Sequence, residues 1–164
     1  MWVRQFLLAL LLLPLLARAG GVSTGDQALP VSLPSLTSDG EISLQSLQGK
    51  VVYLDFWASW CGPCRVSFPV LEALRQEFAD QGFEVYAISV DEDPADSHRF
   101  LEEVPVSYPV VIDTTGATPS AWAPPGMPTA YLIDRKGVVR AIKVGFKKND
   151  GEKLRAAITE LLGE

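Results

Sequence analysis

The apolar positions of this chain fall into three kinds of pattern, and their order outlines a fold. Val51–Trp57 is an almost unbroken apolar run interrupted only by Asp55, the signature of a central strand covered on both faces. Phe68, Leu71, Leu74 and Phe78 recur at helical spacing, which predicts an amphipathic helix from about Pro63 to Gln81, with Pro69 inside it as the site of an expected kink. Phe83–Val90 and Val110–Ile112 read as further strands, Pro94–Glu103 as a polar surface helix and Ala117–Trp122 as one or two helical turns. Thr129–Ile133 and Val138–Val144 read as strands paired about an Asp134–Gly137 turn. A closing amphipathic helix follows, capped by Asn149 or Asp150, with Leu154, Ile158, Leu161 and Leu162 facing inward. Ahead of all this, Leu29–Leu36 and Ile42–Leu47 flank Asp39-Gly40, which predicts a β-hairpin. Strand–helix alternation ending in a hairpin and a helix implies an α/β domain, a mixed sheet covered on both faces.

The first nineteen residues follow none of these patterns. Arg4 leads into Phe6–Leu16, eleven residues that are all apolar, and Ala17-Arg18-Ala19 then offers the small-x-small pattern of a cleavage site. Eleven helical residues rise about 16 Å, short of a hydrocarbon core of roughly 30 Å. Residues 1–19 are therefore expected to be a signal peptide of the general export type, the alternative being an uncleaved membrane anchor. Gly20–Ala28 is small and polar and reads as a linker, leaving 29–164 as one domain. Loss of Arg4 and Arg18 moves the net charge from −6 to −8, too acidic to gather phosphates, so nucleic acid is excluded as a partner.

Export changes the meaning of the chain's two cysteines, Cys61 and Cys64. A disulfide across so small a loop contributes about 2 kcal/mol by chain entropy, against about 4.7 for a hundred-residue loop, so stapling is a weak reason to place one here. A half zinc site lacks its other ligands, since the chain has no further Cys and one His, His98, on a polar helix. The pair instead stands where a strand delivers Cys61-Gly62-Pro63-Cys64 to a helix N-terminus, whose unpaired N–H groups and partial positive charge favour a thiolate. This predicts Cys61 as an exposed nucleophile that attacks a partner's disulfide, and Cys64, one turn in and more buried, as the thiol that resolves the mixed disulfide. No metal or cofactor beyond this dithiol is called for. Asp55, buried in its strand near the pair, is the candidate proton acceptor for Cys64. Trp60 is expected to flank the site and contact a client, whereas Trp57 and Trp122 are expected to pack and His98 to be solvated. The rival function is a Cu(I)-binding chaperone using the same two sulfurs, with Met127 as a third soft ligand. A peroxidase is a further alternative.

Phe56-Trp57-Ala58-Ser59-Trp60-Cys61-Gly62-Pro63-Cys64-Arg65 resembles the active-site segment of thioredoxins. Residues 29–164 as a whole resemble the periplasmic TlpA/ResA/DsbE branch of that superfamily. Pro109-Val110-Val111-Ile112-Asp113, Gly126-Met127-Pro128-Thr129 and Leu132-Ile133-Asp134-Arg135-Lys136-Gly137 match the branch's pattern. The resemblance implies a thioredoxin-like fold with an N-terminal hairpin and a strand–helix insert at about Asp91–Gly116. It also implies Pro128 as the cis-proline facing the disulfide, with Gly62, Pro63 and Met127 on the client-binding strip. The implied function is a thiol-disulfide oxidoreductase of the periplasm or another extracytoplasmic space, reducing client proteins of the apocytochrome c or copper-site assembly type. A membrane-embedded donor would supply its electrons, and it would act as a monomer. Two positions depart from the branch: Ser67 stands where a Glu is frequent, and Asp55 where an Asn is frequent.

Overall fold

A computed structural model describes residues 20–164; the expected signal peptide lies outside the described residues. The elements in chain order are β1 (Ser32–Pro34), β2 (Glu41–Ser43), β3 (Val51–Trp57), α1 (Gly62–Phe78), β4 (Phe83–Ser89), α2 (Pro94–Glu103), β5 (Val110–Ile112), α3 (Ala117–Trp122), β6 (Thr129–Ile133), β7 (Val139–Val144) and α4 (Asp150–Leu162). β1 and β2 form a small antiparallel hairpin, and the main sheet runs β5-β4-β3-β6-β7. β3 and β5 lie parallel to β4, while β6 is antiparallel to both β3 and β7. The sheet is therefore mixed, as the order of elements implied, with β3 at its centre.

Alternation along the strands divides the interior into two layers. Val51, Tyr53 and Trp57 face α1, α2 and α4, packing with Cys64, Phe68, Leu71, Phe100 and Ile158. Val52, Leu54 and Phe56 face the opposite way, into a layer with Tyr86, Ile88, Tyr131 and Trp122. Helices alone do not close that second layer. Val31, Leu44 and Leu47 of the N-terminal extension lie over it, joined by Val22 from further upstream.

Three boundaries differ from the sequence reading. The hairpin strands are only three residues each, and Leu44–Leu47 is a 3₁₀ turn whose first N–H groups are capped by Ser43, which accepts from the Gln45 N–H at 3.2 Å. α1 runs through Pro69 and ends at Phe78, where a 3₁₀ turn (Ala79–Gln81) leads into Gly82 at φ +93°, a left-handed position that glycine occupies without steric cost. Residues 20–28, read as a linker from their composition, are held against the domain. Gly25 N–H donates to Val139 O and Ala28 N–H to Gly137 O, both at 2.8 Å, and Gln27 bridges to Val138. At the other edge, Leu36 N–H donates to Val110 O at 2.8 Å. The extension thus pairs with the start of β7 and with β5, covering edges that would otherwise present open backbone groups.

Candidate active site

β3 aims its carboxyl end at the N-terminus of α1, and the turn between them carries the cysteines. Cys61 is the N-cap residue in extended conformation, Pro63 stands in the first turn where its missing N–H is harmless, and the Cys61 N–H donates to Ala58 O at 3.1 Å. The two cysteines form a disulfide, S–S 2.08 Å and Cα–Cα 5.3 Å. Cys64 is fully buried, as expected. Cys61 was expected to be exposed, yet in the disulfide it is 4% accessible. The exposed surface belongs to its neighbours: Gly62 and Pro63 are open, and Trp60 is 71% exposed, an unusual position for so large an apolar ring. Just before β6, Met127 is half-buried and Pro128 buried, and the peptide between them is cis.

Asp55 occupies the β3 position between Tyr53 and Trp57, on the face that packs against Cys64 and the rest of α1. Its register neighbours are Ala87 on β4 and Ala130 on β6, the small side chains that a buried carboxylate needs beside it. Asp55 is 1% exposed, and its Oδ2 has no hydrogen-bond partner. Burial pushes the carboxyl well above the usual carboxylate range. Tyr53 and Tyr108 are pushed up as well, first by their own burial and then by the Asp55 charge. Ser67, where the related branch often has a Glu, is buried and returns its hydroxyl to Cys64 O at 3.1 Å. It offers no titratable group to the cysteines.

The sequence reading missed Asp91. This buried carboxylate accepts from the Ser59 N–H at 3.1 Å and from three hydroxyls: Ser59 at 3.0 Å, Ser89 at 3.1 Å and Ser97 at 2.6 Å. It ties the Ser59-Trp60 turn, two residues before Cys61, to the end of β4 and to α2. An aromatic stack reinforces the same junction: Trp57 lies 4.7 Å from both Phe68 and Phe100, and Arg65 sits 4.9 Å above the Phe100 ring. Asp91→Ala would leave one N–H and three hydroxyls without their acceptor and should lower stability by about 3 kcal/mol. Denaturant melts check this, and a change under about 1 kcal/mol would mean that packing alone holds the turn. Trp57 and Trp122 are buried packing residues, and His98 is exposed. Among the described residues no cluster of three His, Cys, Asp or Glu side chains could hold a metal ion.

A mixed sheet that presents a Cys-x-x-Cys disulfide at the start of a helix defines the class of thioredoxin-fold proteins. Comparison with known proteins agrees. The Redoxin family matches residues 23–158, and the chain belongs to that family. It is 36% identical to the thioredoxin-like protein YneN of Bacillus subtilis over 139 residues, 82% of this chain and 80% of that protein. It is also 36% identical to the thiol-disulfide oxidoreductase ResA of the same organism, over 66% of this chain and 61% of ResA. A crystal structure described as a thiol:disulfide interchange protein DsbE from Chlorobium tepidum superposes with a TM-score of 0.83 at 43% identity, covering 87% of this chain and all of that one. The protein is a thiol-disulfide oxidoreductase of the TlpA/ResA/DsbE type.

Proposed function

We propose that the chain is an exported protein-disulfide reductase, with residues 1–19 removed as a signal peptide and 20–164 acting outside the cytoplasm. The observation that carries the reading is the placement of the Cys61–Cys64 disulfide beneath an exposed Trp60, Gly62 and Pro63. A folded client can reach that rim. Among the described residues no helix is long and apolar enough to cross a membrane. An extracytoplasmic dithiol is oxidised by its surroundings, so a membrane-embedded donor must recharge it.

In the working cycle the Cys61 thiolate attacks one sulfur of a client disulfide, and the other client sulfur leaves as a thiolate that takes a proton from solvent. The Cys64 thiolate then attacks Cys61, releasing the second client sulfur as a thiolate, which is protonated in turn, and closing the Cys61–Cys64 disulfide. Two electrons pass to the client in all. Asp55 accepts the proton that Cys64 must lose, and its raised affinity for a proton suits that role. Trp60, Gly62, Pro63, Met127 and Pro128 form the strip on which the client backbone lies. Pro128 lacks an N–H, so Met127 supplies the polar backbone contacts there. Apocytochrome c and copper-site assembly proteins are the client types that fit a reductase of this branch, and the chain works as a monomer.

One preparation tests both halves of the reading. The protein is purified from the exported fraction and its intact mass measured, with a chain beginning at Gly20 expected. The same sample is equilibrated with glutathione or dithiothreitol mixtures, and a midpoint between about −220 and −280 mV is expected. A full-length chain in the membrane fraction would sink the cleavage. A midpoint near about −120 mV would reverse the direction from reductase to oxidase.

A further inference from the structure

The described residues hold twelve Lys and Arg against twenty Asp and Glu, so free positive charge is scarce on this surface. Two of its unpaired members line a groove that begins at the Cys-x-x-Cys turn. Arg65, Arg75, Arg99, Arg140 and Arg155 are each paired with a carboxylate, and Arg135 donates to the backbone carbonyls of Gly49 and Gln81. Lys50 reaches Glu84 at 4.0 Å and Lys143 reaches Asp150 at 2.7 Å. Among the described residues, this leaves Lys136, Lys147, Lys148 and Lys153 without an ion pair. Three of these four stand between residues 147 and 153.

Lys147 and Lys153 line a shallow groove of about 470 Å³ that begins at Pro63 of the Cys-x-x-Cys turn. Val144 and Phe146 form its apolar side, and Val144 is 57% exposed. The groove is fixed to the redox site at a second point, because the Gly145 N–H donates to Pro128 O at 2.8 Å. Lys143 and Asp150 also line it, but they neutralise each other, and Lys143 lies over the Phe146 ring at 5.6 Å. Lys148 and Glu152 lie apart from it, in the neighbouring depression against α1. With Lys143, Lys147 and Lys153 set against Asp150 alone, the groove carries a net positive charge beside an exposed apolar patch.

The placement of these charges is unfavourable to the helix. Lys147 lies three residues ahead of α4 and Lys153 is its fourth residue, near the end where the helix dipole disfavours cations. Both side chains are exposed and neither is needed to cap the helix.

We propose that this groove selects clients, accepting an acidic polypeptide segment that flanks the client's disulfide. Carboxylates on the segment would face Lys147 and Lys153, while an apolar residue between them covers Val144. The inference rests on the client-facing role of the Cys61–Cys64 rim. It adds which clients react fastest, since a small basic field on an otherwise acidic surface steers anionic partners and repels none of them locally.

The test uses the mature protein and two synthetic peptides, each with one internal disulfide, flanked by three Asp in one and three Lys in the other. Stopped-flow rates of thiol-disulfide exchange are measured in both directions, protein dithiol with peptide disulfide and protein disulfide with peptide dithiol. Uncharged hydroxyethyl disulfide serves as the control. At low ionic strength the acidic peptide should react about tenfold faster than the basic one, and 0.5 M NaCl should erase most of the difference. Lys147→Gln/Lys153→Gln should abolish the preference and Lys147→Glu/Lys153→Glu should invert it, with hydroxyethyl disulfide rates unchanged in both. Equal rates for the two peptides, or a preference that survives the charge-reversed pair, would overturn the proposal. So would capture of the protein by anionic phospholipid vesicles through these lysines without any preference between peptides. A chain that exchanged only in the oxidising direction, still preferring acidic peptides, would support the groove while removing the reductase reading.

Discussion

Cys64→Ser should accumulate a covalent complex with its client and lose essentially all multiple turnover, whereas Cys61→Ser should form no such complex. The two sulfurs are almost equally hidden in the disulfide, so accessibility of the cysteines themselves does not separate them. Their surroundings do. Cys61 is the N-cap of α1, next to the exposed Trp60, Gly62 and Pro63, at the positive end of the helix dipole. Cys64 lies inside the helix, packed in the layer that holds Trp57 and Phe68, where a large partner cannot follow. Once reduced, Cys61 keeps the electrostatic advantage that makes a thiolate, and a Cys64→Ser chain can still attack. The mixed disulfide then has no second thiol to resolve it. Acid quenching, non-reducing gels and mass spectrometry of the trapped bands would show the adduct and name the client. Equal trapping by the two variants, or trapping by neither, would remove Cys61 from the nucleophile's role and reopen copper binding by the sulfur pair.

The parts of this picture that were legible in the sequence are those that side-chain periodicity writes directly. β3 announced itself as an apolar run because both its faces are covered, and α1 through Phe68, Leu71, Leu74 and Phe78, all buried against the sheet. The redox pair was legible for a different reason: its chemistry depends on local position, a strand end followed by a helix start. The errors arise where backbone or distant partners decide. Leu44 and Leu47, three apart, look the same in four residues whether they belong to a strand or a single 3₁₀ turn, and the Ser43 cap settles it. Residues 20–28 have little apolar content, but their order comes from main-chain bonds to Gly137 and Val139, which leave no mark on side-chain pattern. Asp91 stood in the sequence only as the first residue of the expected insert. Its partners Ser59, Ser89 and Ser97 come from three separate elements and converge only in the folded chain.

Asp55 is the residue whose replacement should act on stability and chemistry in opposite directions. It sits in β3 between two alanine neighbours, 1% exposed, with Oδ2 unpartnered, so ionising it in the fold lacks the compensation that water gives in the unfolded chain. The folded carboxyl therefore binds its proton more tightly than the unfolded one. The native state holds the extra proton between the two pKa values, so stability falls as pH rises from the ordinary Asp value, about 3.9, toward the raised folded one. Above both, the full penalty persists. Asp55→Asn removes the titration and keeps the shape, so the variant should be more stable than the parent at pH 8, by about 3 kcal/mol, and no more stable at pH 3. Turnover should move the other way, because the variant has no group to take the proton from Cys64 when the mixed disulfide is resolved. The loss should be concentrated in that second step, with the mixed disulfide living longer and the first attack by Cys61 little changed. Denaturant melts at the two pH values and single-turnover exchange with a disulfide peptide separate these effects. A variant that is less stable at pH 8 would show the carboxylate to be a satisfied structural group. Normal resolution in the variant would pass proton transfer from Cys64 to solvent.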